Sequence, residues 1–138
     1  MILFVDDEAF YTDSYRRELE LSGFEVEFQP DVDGALGFLG NNLDQVDLLI
    51  LDIMMPSGSS IPEVDTAKGL RTGVRFYERV RKQSSRLPVI ILTNVSDQAV
   101  RERFASEVGC RFLRKEECQP FELVEEVRRI LAEERKEG

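Results

Sequence analysis

Four short stretches of the sequence end an apolar run on a residue that can do chemistry: "FVDDE" (4–8), "LLILDIMMP" (48–56), "VIILTN" (89–94) and "FLRK" (112–115). They contribute Asp6 and Asp7, Asp52, Thr93 and Lys115. Singly, each has a structural explanation: a carboxylate caps a helix, a threonine sits in a turn, a lysine is a solvated charge. Brought together, three carboxylates repel one another and raise their own pKa values unless a cation neutralises them. The chain contains no histidine, so the ligand set is oxygen and the fitting ion is hard. Mg2+ suits it, with Mn2+ as an alternative, because it takes a few carboxylates and fills its shell with water and phosphoryl oxygens. A lysine and a hydroxyl at the same place complete a cradle for a small trianionic group, either bound as a ligand or covalently attached.

The elements that must position these residues follow from the apolar pattern. "ILFV" (2–5), "DLLIL" (47–51), "PVIIL" (88–92) and "CRFL" (110–113) read as strands, the first three of them buried, and "FEVEF" (24–28) alternates like a strand near an edge. Helical spacing joins Tyr11, Tyr15 and Leu19 up to a stop at Gly23. It also joins Val32, Ala35, Leu36 and Leu39, with Gly34 and Gly37 weakening that helix. Val74, Tyr77 and Val80 predict a helix ending near Ser85. Val100, Phe104 and Val108 predict one ending at Gly109, and Val124, Val127 and Leu131 one starting at Pro120. Continuous apolar strands alternating with helices imply a doubly wound α/β domain, (βα) five times, its parallel sheet covered on both faces. One domain over 1–138 is expected. Ligands of such sheets bind beyond the carboxyl ends of the strands, where all five polar residues fall.

Composition narrows the class. The chain has 138 residues, and a net charge of −9 from 18 Lys+Arg against 27 Asp+Glu argues against nucleic acid or an anionic membrane as direct partner. The two cysteines, Cys110 and Cys118, have no metal-site spacing, read as ordinary thiols and suit a reducing, cytoplasmic location; Cys110 is expected to point into the core. No apolar run has the length of a membrane span. Without histidine there is no Ser-His or Cys-His pair.

Taken together and in this order, the four stretches resemble the receiver domains of two-component response regulators, over essentially the whole chain. The resemblance implies a CheY-like, flavodoxin-like fold with strand order 2-1-3-4-5. It makes Asp52 the phosphoacceptor that forms an aspartyl-phosphate. Asp7, Asp52 and the backbone carbonyl of Met54 would bind Mg2+ directly, and Asp6 through water. Lys115 would pair with a phosphoryl oxygen. Thr93 would turn its hydroxyl toward the phosphoryl group, and Phe112 occupies the switch-aromatic position. It further implies a histidine kinase or phosphotransfer protein as donor and a downstream output protein in trans. The chain would act as a stand-alone switch, monomeric or dimerising on phosphorylation, unless it is an excised piece of a longer protein. Self-phosphorylation and autodephosphorylation are not enzyme activity on an external substrate.

Three features depart from the family pattern. Receivers usually follow the lysine with proline through a cis peptide; here Glu116 follows, which predicts a trans peptide, a different placement of Lys115 and extra negative charge. Asn94 stands where a small residue is common, and would narrow the crevice entrance or meet the phosphoryl group. Residues 57–72, "SGSSIPEVDTAKGLRT", form an extended loop, with Gly58, Gly69 and Gly73 as turns, Lys68 and Arg71 available to the crevice, and Glu63 and Asp65 solvated. A phosphorylation-independent interaction module is the alternative reading. A phosphatase with an aspartate nucleophile, like the haloacid dehalogenases, would need an acid two residues after Asp52, where Met54 stands.

Overall fold

The computed structural model describes residues 1–55, 58, 70–95 and 97–137. Five strands, β1 (Ile2–Val5), β2 (Val26–Gln29), β3 (Leu48–Leu51), β4 (Val89–Thr93) and β5 (Cys110–Arg114), pair in parallel in the order β2-β1-β3-β4-β5. Five helices alternate with them: α1 (Ala9–Leu21), α2 (Val32–Asn42), α3 (Leu70–Gln83), α4 (Gln98–Ala105) and α5 (Pro120–Glu137). The expected fold class and strand order are what the chain adopts.

β1, β3 and β4 are buried along their whole length, because each lies inside the sheet with helices on both faces. Leu3, Val5, Leu49, Leu51, Val89 and Ile91 pack with α2, α3 and α4. Ile2, Phe4, Leu48, Ile50, Ile90 and Leu92 pack with α1 and α5. The alternation of side chains along each strand divides the core into these two halves. β2 is an edge, as expected, but all four of its residues are half-buried rather than alternating.

α2 forms despite Gly34 and Gly37. The Asp31 side chain caps it by accepting from the Gly34 N–H at 2.6 Å, and Val32, Ala35, Leu36 and Leu39 are its buried face. In α1 the buried stripe is Thr12, Tyr15 and Leu19. Tyr11, expected on that face, is 73% exposed, and Thr12 replaces it because its hydroxyl is satisfied by the Glu8 carbonyl at 3.0 Å. α4 stops at Ala105, before Val108, which is therefore exposed; only Phe104 of that stripe is fully buried. Cys110 is half-buried and packs against the core.

The extended loop expected over 57–72 falls largely outside the described residues, as do Gly69, Lys68, Glu63 and Asp65, and the side chain of Arg71. Its end is corrected: α3 begins at Leu70, so Gly73 lies inside a helix and not in a turn. The reason is packing. A Cβ at Gly73 would stand 1.7 Å from the Ile53 carbonyl oxygen, so only glycine lets α3 cross this close to the end of β3.

At the amino end of the sheet, Arg81 of α3 donates to the carbonyls of Leu87 at 2.6 Å and Gly109 at 3.1 Å and to the Tyr77 hydroxyl at 3.0 Å. It ties α3 to the segments that enter β4 and β5.

Candidate functional site

The chain leaves β1 for β2 on one side and β3 for β4 on the other, so the carboxyl ends of β1 and β3 flank the point where the strand order reverses. Parallel register holds the two ends level: Val5 pairs with Leu51, and the Asp52 N–H donates to the Val5 carbonyl at 3.0 Å. The residues that follow, Asp6 and Asp52, are thereby adjacent. Carboxylate oxygens of Asp6, Asp7 and Asp52 all lie within 4.8 Å of one another. β4 ends on Thr93, and a 3-10 turn over Lys115–Glu117 follows β5.

All the expected side chains meet here except Phe112. The Thr93 hydroxyl donates to Asp52 Oδ1 at 2.7 Å, and the Met54 N–H donates to the same oxygen at 3.0 Å. Lys115 Nζ donates to Asp52 Oδ2 at 2.9 Å and lies 2.8 Å from Asp6 Oδ2. Asp6, Thr93 and Asp52 are buried, while Asp7 is exposed at the mouth. Phe112 sits half-buried on β5 against the core half that contains α4.

Among the described residues the peptide bonds are all trans, as expected for Glu116, yet Lys115 still reaches both carboxylates. The extra charge of Glu116 is turned to Arg114, 3.2 Å away. Asn94 accepts the Glu116 N–H at 3.2 Å. The crevice above Asp52 has a volume of about 450 Å³. Its lining includes Glu8, Val95 and Asp97, which the sequence reading missed. Asp97 was detectable as the N-cap of α4, accepting from the Ala99 and Val100 N–H groups; Glu8 and Val95 gave no signal beyond following Asp7 and Asn94.

The electrostatics are those of crowded acids around one ammonium. Burial, and next the charge of Asp52, push the Asp6 carboxyl from 3.8 up to about 6, against the pull of Lys115. Asp7 is raised by the same two causes in the same order. Burial works against the Lys115 ammonium, but the Asp52 and Asp6 carboxylates outweigh it and hold the pKa above its ordinary value. Burial lifts the Cys110 thiol to about 12 and, with Glu122 and Glu126, the Cys118 thiol to about 11; both stay protonated and inert at neutral pH.

Asp6 Oδ1 accepts the Glu8 N–H at 2.8 Å. Oδ2 is buried with no aligned hydrogen-bond donor, its contact being the Lys115 ammonium. Three carboxylates within 4.8 Å of one another, with the Lys115 ammonium on Asp6 and Asp52, fit a hard divalent cation.

A raised carboxyl pKa costs stability once it ionises. The contribution of Asp6 is fully present below 3.8 and is lost as pH rises to about 6, a change of about 3 kcal/mol. In urea titrations without divalent cation, the midpoint is expected to fall across that window. Asp6→Asn should lack this component of the slope, and saturating Mg2+ should flatten it by favouring the ionised cluster.

Comparison with known proteins agrees with this arrangement. The family model of the response regulator receiver domain matches residues 2–128. The transcriptional regulatory protein CpxR of Escherichia coli (strain K12) is 35% identical over 130 residues, which are 94% of this chain and 48% of CpxR. The response regulator MprA of Mycobacterium sp. (strain KMS) is 33% identical over 104 residues, 75% of this chain and 38% of MprA. The chain thus spans about half or less of the length of these relatives. The crystal structure of a CheY-like response regulator receiver domain protein from Methanospirillum hungatei JF-1 superposes with a TM-score of 0.79 at 26% identity, covering 99% of this chain and 97% of that one. With the family's fold, its acidic cluster and its sequence all present, this chain belongs to the response regulator receiver domain family.

Proposed function

We propose that the chain is one receiver unit over 1–138 and works as a phosphorylation-controlled switch whose phosphoacceptor is Asp52. The observation that carries this reading is the setting of that carboxylate. It is buried beneath an open crevice, with the Lys115 ammonium at 2.9 Å on one oxygen and the Thr93 hydroxyl at 2.7 Å on the other. A carboxylate oxygen of Asp52 attacks the phosphorus of the donor. The bond from phosphorus to the donor breaks, and the leaving group keeps the electron pair. Phosphoryl transfer depends on positioning and on neutralising the equatorial oxygens. Lys115 supplies a fixed positive charge for one of them, and Thr93 and the Met54 N–H hold the nucleophile in place. Asp7, Asp52 and the Met54 carbonyl would hold a Mg2+ ion, with Asp6 acting through water, and that ion would supply further positive charge beside the phosphoryl oxygens.

Once Asp52 is phosphorylated, Thr93 turns its hydroxyl to the phosphoryl group, and Phe112 moves into the space this leaves. The surface of α4, β5 and α5 then changes population between two states. The donor is a histidine kinase or phosphotransfer protein in the cytoplasm, and the output is reached through a protein surface rather than by direct contact of this domain with nucleic acid or membrane. Among the described residues no helix is long and apolar enough to cross a membrane.

Incubation with Mg2+ and acetyl phosphate tests the reading by intact mass. The expected result is the gain of one phosphoryl group, with amide shifts around Phe112. No gain, together with no stable beryllofluoride complex, overturns it and leaves the phosphorylation-independent interaction module.

A further inference from the structure

The placement of Lys115 is not explained by the turn that carries it. That turn is three residues long, its Glu116 and Glu117 side chains are exposed, and its one internal backbone bond, Cys118 N–H to the Lys115 carbonyl, is long at 3.4 Å. A lysine has four rotatable bonds between Cα and its ammonium, so holding Nζ 2.8 and 2.9 Å from two carboxylates requires a backbone fixed from elsewhere.

Two side chains from other elements do this. The Tyr15 hydroxyl of α1 lies 2.7 Å from the Cys118 carbonyl and 3.0 Å from the Lys115 carbonyl. Its single proton bridges both ends of the turn as a three-centre bond. Tyr15 is itself buried in the core half formed by α1 and α5, which makes it a rigid post. From the opposite side, Asn94, one residue past β4, accepts the Glu116 N–H at 3.2 Å. Glu116 has that N–H to give; a proline at this position would not. The two residues that depart from the usual pattern are thus partners in one contact.

We infer that Tyr15 and Asn94 are positioning residues for Lys115, clamping its backbone from α1 and from the end of β4 so that the ammonium is delivered to Asp52. The inference rests on the reading of Lys115 as the cation that faces the phosphoryl group. Tyr15 does not line the crevice and Asn94 does; the contacts through which both act on Lys115 are to the peptide units of 115–118.

The test separates placement from chemistry. Nitrogen-15 spectra of the unphosphorylated protein follow the Glu116 amide and the Lys115 ammonium, whose exchange with water is slow only while it is held between carboxylates. Tyr15→Phe keeps the ring and removes the hydroxyl; Asn94→Ala removes the acceptor at an exposed position where folding is not at stake. Each is expected to speed Lys115 ammonium exchange. Each is also expected to slow uptake from acetyl phosphate roughly tenfold, within the ~100-fold that an ångström of misplacement can cost. Asn94→Asp, which keeps an oxygen at the same reach, should restore Glu116 amide protection and most of the uptake. Unchanged ammonium exchange in both variants overturns the inference. A change in one variant alone overturns the joint role and confines it to that residue. Altered exchange in a protein that takes up no phosphoryl group even as wild type leaves the clamp standing and refutes the phosphoacceptor reading instead.

Discussion

Asp52→Asn is expected to take up no phosphoryl group under conditions in which the wild-type chain is modified. The substitution is close to isosteric. The amide oxygen still accepts from Thr93 and from the Met54 N–H, the partners of Oδ1, so that side of the crevice keeps its shape. What disappears is the proposed nucleophile, together with one of the two carboxylates that hold Lys115. A second effect follows at Asp6. Its carboxyl is raised first by burial and second by the charge of Asp52, so removing that charge lowers its pKa from about 6. Intact mass checks the first effect, and carbon-13 titration of the Asp6 carboxyl checks the second. Retention of full phosphoryl uptake by the variant would move the modification to another residue.

Gly73→Ala should cost about 3 kcal/mol or more of folding stability, the largest effect expected of an added methyl at the described glycines, since its Cβ would make the shortest contact and that with backbone. The added Cβ would stand 1.7 Å from the Ile53 oxygen, 2.5 Å from its carbonyl carbon and 2.8 Å from its Cα. Those are backbone atoms, which cannot swing aside as a flexible side chain can. Either α3 withdraws from the sheet or the segment after β3 is displaced. That segment contains Asp52 and the Met54 N–H, so phosphoryl uptake should fall with stability. Gly37→Ala in α2 is the control. Nothing lies within 4 Å of its added Cβ, and alanine in a helix interior is favoured by about 0.5–1 kcal/mol. Urea unfolding of both variants should give shifts of opposite sign; equal and small shifts would mean that the close approach of α3 is not maintained in solution.

These two glycines also show where the sequence could be read and where it could not. The strands were legible because a strand covered on both faces needs an unbroken apolar run, and "ILFV", "LLIL" and "VIIL" are such runs. The site was legible because parallel strands deliver their end residues to one edge, so a polar residue closing each run is informative before any coordinates. Gly73 was not legible: a turn glycine and a glycine crossed by another backbone look identical in one dimension. The first turn of α3, "LRTG", has no apolar periodicity, and its helical state comes from packing. Tyr11 and Val108 match a helical period, but the first is one position off the buried stripe and the second lies past the end of its helix. The Asn94–Glu116 contact spans residues that are 22 apart, and only the pairing of β4 with β5 brings them together.

The bonds of Arg81 give the sheet a mechanical asymmetry. One guanidinium fastens the entries of β4 and β5 to α3, whereas the exits of the same strands carry Thr93 and Lys115. β4 and β5 are therefore anchored to α3 at their entries, while their pairing with each other carries them together to Thr93 and Arg114 at the exits. Lysine could not replace the clamp, because its ammonium lacks the planar fork that serves several carbonyls at once.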